Sequence, residues 1–289
     1  MTYGVGAYAL WGLFPLFWPL LEPARPVEVL AHRVLWSLLV VVVLLQVTHS
    51  WPALRAVTPH QARLLGVAAV LLTTNWGIYI YGVNSGQVVE TSLGYFINPL
   101  VSVGLGVVVL GERLRSVQQV AIAFAVTAVA VLTVANGRPP YIALALAFSF
   151  GTYGLLKKQA NVGAVPSLAV ETGVVAPLAA TYLAVLALTG RGTFTGHGPD
   201  HVALLVSAGV VTAVPLLLFG AAATRIPLIS LGVLQYLAPT LQLLVGLAVR
   251  HEPFGTARLV GFVLVWVALV VFTTDLVRHH RRLESVAAC

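Results

Sequence analysis

Long apolar stretches with short polar connections run through almost the whole chain. Ten of them reach bilayer-spanning length, with approximate bounds of 3–21, 29–48, 62–83, 89–110, 117–135, 140–157, 167–189, 201–222, 228–249 and 256–275. A hydrocarbon core of about 30 Å requires ~20 apolar residues per helix. Backbone groups in lipid must be paired within each segment, which helices achieve, and the alternating pattern of a membrane barrel is absent. The pattern predicts an all-α integral membrane protein with ten transmembrane helices.

The second five stretches repeat the first five. Pro99 precedes Glu112 by 13 residues and Pro239 precedes Glu252 by 13, so both pairs are offset by 140. Five is an odd number, so a second copy placed in tandem enters the membrane from the opposite side. We therefore expect two inverted five-helix repeats, residues 1–137 and 138–289, related by an axis in the membrane plane.

Two further matches lie near the start of each half. Gly12 matches Gly151 and Thr73 matches Thr212, both at an offset of 139. The drift of one residue between the two offsets is what a small loop insertion or deletion causes. Inverted repeats of this kind are typical of secondary transporters.

Composition and charge agree with a membrane protein. Hydrophobic residues make up 59% of the chain and charged residues 9%, which leaves no room for a soluble domain. Lys and Arg are more frequent in the connections on the side of the amino terminus, so both termini are expected in the cytoplasm. The net charge of +7 then fits anionic lipid at the inner leaflet, and nucleic-acid binding is not expected.

The single cysteine, Cys289, excludes a disulfide or cysteine metal site within one chain, and we expect no cofactor and no metal.

Five ordered strings carry a resemblance to a known family: HRVLWS at 32–37, TNW at 74–76, SLGYFINPL at 92–100, LGER at 110–113 and QYLAPT at 235–240. They resemble the RarD group of EamA-type transporters in the drug/metabolite transporter superfamily, and the resemblance covers essentially the whole chain. It implies two EamA repeats, alternating access, and movement of a small organic solute across the bacterial plasma membrane. The solute could be a metabolite, an amino-acid-like compound or a drug, and we expect export. The chloramphenicol label of the group records an association, so the substrate stays open.

Two other functions, a membrane-embedded enzyme and a channel-like permease, fit the sequence less well. A membrane-embedded enzyme needs an acid/base or metal constellation at one depth, but His32 and Glu171 are predicted near opposite faces. A channel-like facilitative permease needs a continuous polar stripe, which the sparse polar positions do not supply. A transporter with solute and membrane lipid as its partners is therefore expected, with proton coupling and a monomeric or homodimeric state left open.

Ionisable residues inside a predicted span usually face a cavity, because lipid exposure is costly. His32 and Arg33 lie in the second span and Glu171 in the seventh, and an offset of 139 aligns Glu171 with His32. Arg33 either snorkels to headgroups or contacts an anion or carboxylate at the outer vestibule. His32 either contacts the solute or donates a structural hydrogen bond. Glu171 is a candidate for proton coupling, with a helix–helix hydrogen bond as the alternative.

Prolines matched between the repeats predict the transport site. Pro99 and Pro239 are expected eight to eleven residues into their helices, near the midplane, where they act as hinges and free backbone carbonyls. Neutral polar and aromatic side chains lie at the same level, although these could instead fill helix packing. The predicted substrate-binding residues are Tyr95, Asn98, Gln235, Tyr236, Trp11, Tyr153, Asn75, His32 and Arg33.

Overall fold

The computed structural model describes residues 2–111, 115–223 and 234–287. Its α-helices are α1 (Thr2–Phe17), α2 (Pro26–Val47), α3 (Trp51–Arg55), α4 (Pro59–Asn84), α5 (Val88–Leu110), α6 (Ser116–Asn136), α7 (Tyr141–Ala160), α8 (Ala164–Leu188), α9 (Gly198–Ala223), α10 (Leu237–Ala248) and α11 (Thr256–Ala287). A short 3-10 turn, Trp18–Leu21, extends α1. The predicted all-helical class is confirmed for these ranges.

The helices coincide with the predicted stretches. In the described ranges, eight are long and apolar enough to cross a membrane, by length and composition: α1 with its turn, α2, α4, α5, α6, α8, α9 and α11. Two shorter apolar helices, within α7 and α10, fall on the remaining two predicted stretches. The count of ten transmembrane helices stays a prediction.

Helix ends follow local sequence signals. Proline occupies the first position of α2 and of α4, where its missing N–H would have no intrahelical partner. Thr58 and Gln61 form a capping box at the start of α4. Gly111 and Gly137 follow α5 and α6 with φ of 66°, the left-handed conformation that glycine adopts without a steric penalty.

The main helix contacts form a regular set. α1 packs on α9 and α10, and α7 packs on α4 and α5. α2 packs on α8 and α9, while α8 packs on α2 and α4. α5 pairs with α10, and α6 with α11. Exchanging α1, α2, α4, α5 and α6 with α7, α8, α9, α10 and α11, in that order, leaves this set of contacts unchanged.

The matched glycines pack at matched positions. A Cβ on Gly12 would lie 2.6 Å from Cβ of Leu241 and 3.1 Å from the Ala238 carbonyl oxygen on α10. A Cβ on Gly151 would lie 3.2 Å from Val101 and 3.5 Å from Oδ1 of Asn98 on α5. The absent side chains let α1 approach α10, and α7 approach α5, in the same manner.

Helices α2 and α8 run antiparallel. Glu28 and His32, near the start of α2, line a groove with Leu186 and Ala187, near the end of α8. At the other end of the pair, Leu45 of α2 clusters with residues 165–169 of α8. We name these two ends the Glu28 end and the Lys157 end, after the polar clusters described below.

The predicted position of Pro239, eight to eleven residues into its helix, is wrong, while its role as a hinge stays a prediction. This residue is the third of α10, in the first turn, where a proline disturbs little of the helix. The break in the backbone lies at Gln235 and Tyr236, which form a turn after Leu234. Residues 228–233 of the predicted ninth span lie outside the described residues. Pro99, by contrast, lies inside the continuous helix α5.

Gly209→Ala is expected to destabilise the protein by about 1–3 kcal/mol through overpacking. A Cβ at this position of α9 would lie 2.5 Å from Cβ and 2.6 Å from the backbone carbon of Trp36 on α2, so the helices would have to separate. Gly66→Ala is the matched control, because nothing lies within 4 Å of the added atom and alanine favours a helix. Thermal unfolding of both purified variants measures the difference, and equal melting temperatures would contradict this packing.

Candidate functional site

A small cavity lies at the centre of the bundle, where α2, α4, α8 and α9 meet. About 20 Å³ of space is free inside it, roughly enough for one water molecule. Its lining residues are Val34, Ser37, Val41, Ala69, Leu72, Thr73, Trp76, Leu168, Glu171, Thr172, Val175, Thr212 and Ala213. The repeat-matched Thr73 and Thr212 are both among them. The described residues thus enclose a narrow space with several hydroxyl groups and one carboxylate.

The Lys157 end is closed by a polar cluster around Glu171. Lys157 Nζ on α7 donates to Glu171 Oε1 at 2.6 Å, and also to the Ser167 hydroxyl. Ser167 Oγ donates to Glu171 Oε1 at 2.9 Å, and the Tyr153 hydroxyl donates to Oε2 at 3.3 Å. Glu171 is only 3% exposed. The carboxylate, which sequence patterns presented as isolated in its span, therefore has an ammonium partner on the neighbouring helix.

The Glu28 end is closed by the loop 189–197 that joins α8 to α9. The backbone N–H and the hydroxyl of Thr193 donate to Glu28 Oε1 at 2.6 and 3.0 Å. The Thr193 hydroxyl also lies 2.9 Å from His201 Nε2 of α9. Phe194 stacks on the His32 ring at a centroid distance of 4.8 Å. One buried carboxylate on α2 thus holds the loop in place.

A groove of about 500 Å³ lies beside this loop, between α2 and α8. Its walls are mostly leucine side chains of the two helices, and His32 and Glu28 are at its end. Leu39, on its wall, is 56% exposed, so the groove opens toward the lipid-facing surface. The equivalent position at the Lys157 end is filled, because Trp51 and Leu54 of α3 pack there.

The two polar clusters use repeat-matched positions. Adding 139 to Glu28 gives Ser167, and adding 139 to His32 gives Glu171. Each pair is spaced by four residues, so each lies on one face of its helix. Since α2 and α8 are antiparallel, the clusters lie at opposite ends of this helix pair.

Arg33 is buried among aromatic rings beside the cavity. Its guanidinium carbon lies 3.8 Å from the centre of the Trp76 ring, 5.0 Å from Trp18 and 5.9 Å from Phe14. It is 3% exposed, so it does not reach the surface as a snorkelling side chain would. Nε and Nη1 have no hydrogen-bond partner among the described residues.

Asn75 and Tyr95 are brought together by the fold. The Tyr95 hydroxyl donates to Asn75 Oδ1 at 3.2 Å. Asn75 Nδ2 donates to the Leu146 carbonyl at 3.0 Å and to Ser149 Oγ at 2.9 Å, both on α7. Asn75 is fully buried, so its amide ties α4 to α5 and α7. A contact of these two residues with the solute stays a prediction.

The other predicted site residues lie in separate places. Trp11 packs on Tyr8 and Phe219, and its carbonyl accepts from Gln242. Tyr236 packs on the apolar core formed by α5, α6, α10 and α11. The four residues predicted to line one central cavity, Tyr95, Asn98, Gln235 and Tyr236, are not among the residues that line the cavity described above. Their role in binding stays a prediction.

Three polar residues that sequence patterns did not assign to a site support helix ends. Lys157 and Glu28 are described above. Glu252 accepts hydrogen bonds from the N–H groups of Val88 and Val89 at 2.5 and 2.9 Å, and so caps α5. Burial raises the pKa of this carboxyl, while the two backbone donors oppose the shift. Each of the three lies at or near a helix end, next to a loop, where hydropathy gives no signal.

No group of three or more His, Cys, Asp and Glu side chains able to hold a metal ion occurs among residues 2–111, 115–223 and 234–287. The rings of His197 and His201 lie 5.5 Å apart, and the Thr193 hydroxyl lies between His201 and Glu28. The arrangement offers charge and hydrogen bonds for binding.

Apolar helices packed around an internal polar site define a multi-pass membrane transporter. The EamA-like transporter family model matches residues 1–134. A protein named RarD from Streptomyces exfoliatus is 51% identical over 98% of this chain and 90% of its own. The chain therefore belongs to the RarD group of the EamA-like transporters, in the drug/metabolite transporter superfamily. The resemblance carried by the five strings is confirmed.

Further comparisons agree. The uncharacterized transporter YojE of Bacillus subtilis (strain 168) is 42% identical over 99% of this chain and 97% of its own. Protein RarD of Escherichia coli (strain K12) is 41% identical over 96% of this chain and 95% of its own length. A solved crystal structure superposes with a TM-score of 0.60 at 20% identity, over 93% of this chain and 95% of the other, and shows the same fold. These relatives and the apolar helices indicate a multi-pass protein of the bacterial inner membrane, with names that are those of transporters and not enzymes.

Proposed function

We propose that the protein is a secondary transporter that moves a small organic solute across the plasma membrane by alternating access, in the direction of export. The observation that carries this proposal is the cavity between α2, α4, α8 and α9, together with a polar cluster at each end of the α2–α8 pair. The Glu28 cluster lies at one end of the pair and the Lys157–Glu171 cluster at the other, and we propose that they are the two closures. A carrier requires two closures that open in turn, whereas a channel requires a continuous path.

The two-fold set of helix contacts supports the proposal. The main contacts given above are unchanged when the first five long helices are exchanged with the last five. The polar clusters are related by the same offset as the matched glycines. An inverted repeat with its substrate site between the halves has these properties, because opening one end is then structurally equivalent to opening the other.

Orientation and cargo form part of the proposal. We propose that the Lys157 end faces the cytoplasm and the Glu28 end faces outside, which the excess of Lys and Arg on the side of the termini supports. A relative from Pseudomonas aeruginosa, 30% identical over 288 residues, is named a chloramphenicol-sensitive protein. That name fits a family whose cargo includes small organic molecules, and here we propose a cargo of that general size.

Access to the cavity from both sides tests the mechanism. Cys289 is the only cysteine, so Cys289→Ser gives a cysteine-free background into which Ser37→Cys places one thiol in the cavity. Thr195→Cys, on the exposed loop, is the control. We expect a membrane-impermeant maleimide to label position 37 from either face of oriented vesicles, at least about tenfold more slowly than position 195 from its own face, because each open state is a minor population.

Absence of labelling from one face would contradict alternating access. Flux measurements then separate a carrier from a facilitative permease. Proteoliposomes loaded with the solute identified in the medium of overexpressing cells should show saturation and counterflow. Flux that rises linearly with concentration, without counterflow, would favour a permease.

A further inference from the structure

Arg33 is a buried cation without an anion. The ion pairs between described residues are Arg115–Asp275 and Lys157–Glu171, and neither includes Arg33. Glu28, on the same helix, is occupied by Thr193. Burying an unpaired charge is costly, and inside a membrane protein such residues face the interior or a pathway. The aromatic rings around Arg33 offset part of this cost but leave Nε and Nη1 without an acceptor.

Further unpartnered donors surround the guanidinium. Trp18 Nε1 and the Tyr79 hydroxyl are buried, and neither has a hydrogen-bond partner in the part of the chain that the structure describes. The Trp18 ring is 5.0 Å from the guanidinium carbon, and Tyr79 and Tyr95 are close enough to interact with Arg33 electrostatically. Tyr95 already donates to Asn75. The cluster therefore contains N–H and O–H donors without acceptors, and no carboxylate of the described residues pairs with it.

Trp76 links this cluster to the cavity. The Trp76 ring stacks on the guanidinium at 3.8 Å and also lines the central cavity. The donors of Arg33 therefore lie on the other side of this ring from the cavity or at its edge, one side chain away from the cavity wall. Along α2, Arg33 lies between Glu28 and the cavity-lining Val34, so the cluster lies between the cavity and the Glu28 end.

We propose that the transported solute carries a carboxylate, or an oxyanion of similar charge, and that Arg33 is the residue that binds it. Trp18 and Tyr79 supply further donors, and the rings of Phe14, Trp18 and Trp76 bind the apolar part adjacent to the anion. The proposal rests on the proposed transport function and names its substrate class. Guanidinium is suited to this role because its planar N–H groups match two carboxylate oxygens.

A comparison of culture media tests the substrate class. Cells that overexpress the wild-type chain, Arg33→Gln, Arg33→Lys or Arg25→Gln are compared with cells lacking the chain, by mass spectrometry of the medium at equal membrane levels. We expect the compounds enriched by the wild type to carry a carboxylate or another oxyanion. Their enrichment should fall about tenfold or more in Arg33→Gln, as expected for the loss of one charge-assisted hydrogen bond, and less in Arg33→Lys. Arg25→Gln, exposed one residue before the same helix, should match the wild type.

Each outcome decides one point. A medium unchanged by the wild type contradicts the transport function, and the substrate class with it. Enrichment of neutral or cationic compounds alone, or full export by Arg33→Gln, overturns the substrate class and leaves the transport function standing. If Arg33→Gln does not reach the membrane, thermal unfolding of the purified wild type in benzoate and in benzamide decides. Benzoate should raise the melting temperature more than its neutral analogue, and equal shifts overturn the proposal.

Discussion

Lys157→Gln is expected to lower the free energy of unfolding by roughly 3 kcal/mol, because it leaves a buried carboxylate without its partner. Glu171 is 3% exposed and its carboxylate is 2.6 Å from the ammonium that the substitution removes. Glu171→Gln should cost less, because the side chain of Lys157 is 26% exposed and can turn toward water. The double variant should recover much of the loss. Thermal unfolding of the purified wild type, the two single variants and the double variant measures these losses of stability. Equal losses in the two single variants would contradict the prediction.

The same variants test proton coupling. If Glu171 exchanges a proton when the Lys157 end opens, Glu171→Gln should abolish the dependence of uptake on an imposed pH gradient and preserve solute binding, since the amide resembles the protonated acid. Tyr153→Phe is the control, because it removes one contact of the carboxylate at 3.3 Å and no charge. Wild-type transport that is insensitive to the gradient would rule out coupling at this residue.

Glu28→Ala is expected to release the loop 189–197 and to increase its cleavage by trypsin at Arg191 about tenfold to a hundredfold. The substitution leaves the buried Thr193 N–H without its acceptor, and a hydrogen bond to a charged group contributes about 1.5–3 kcal/mol. When opening is fast, proteolysis follows the population of the open form. Arg191 is exposed and suitably placed as the cleavage site.

Glu22→Ala provides the matched control, since it removes an exposed carboxylate just before the same helix. Its cleavage rate should equal that of the wild type. Glu28→Gln should give an intermediate rate, because the amide oxygen can still accept the Thr193 N–H without the negative charge. A rate for Glu28→Ala equal to that for Glu22→Ala would show that the carboxylate does not hold the loop.

Hydropathy predicted the long helices well, because a helix that crosses lipid must be both long and apolar. A hydropathy window detects both properties together. The predicted stretches 62–83 and 117–135 became Pro59–Asn84 and Ser116–Asn136. The short helix α3 was not predicted, since five residues carry no periodicity. The first-turn position of Pro239 was also missed, because a hydropathy window does not register a turn inside an apolar run.

The site was predicted in part. Arg33 and Glu171 were recognised because a charge inside an apolar span is rare. The partner of Glu171 was not, since Lys157 is the last residue of the predicted stretch 140–157, where a lysine is ordinary. Its long side chain reaches α8 only because α7 and α8 are joined by a short connection. Which side chains meet across different helices depends on packing, and no single segment encodes it.

The helix α3 has a consequence for the resting state of the carrier. Trp51 and Leu54 fill the groove between α2 and α8 at one end, whereas the matching groove at the other end has about 500 Å³ of open volume. Two halves of equal structure would give inward-facing and outward-facing forms of equal energy. In the proposed carrier, a wedge present at only one end would remove that degeneracy, so the empty protein would favour one orientation before any solute binds. The proposed inverted repeat would then have different apparent affinities on its two faces.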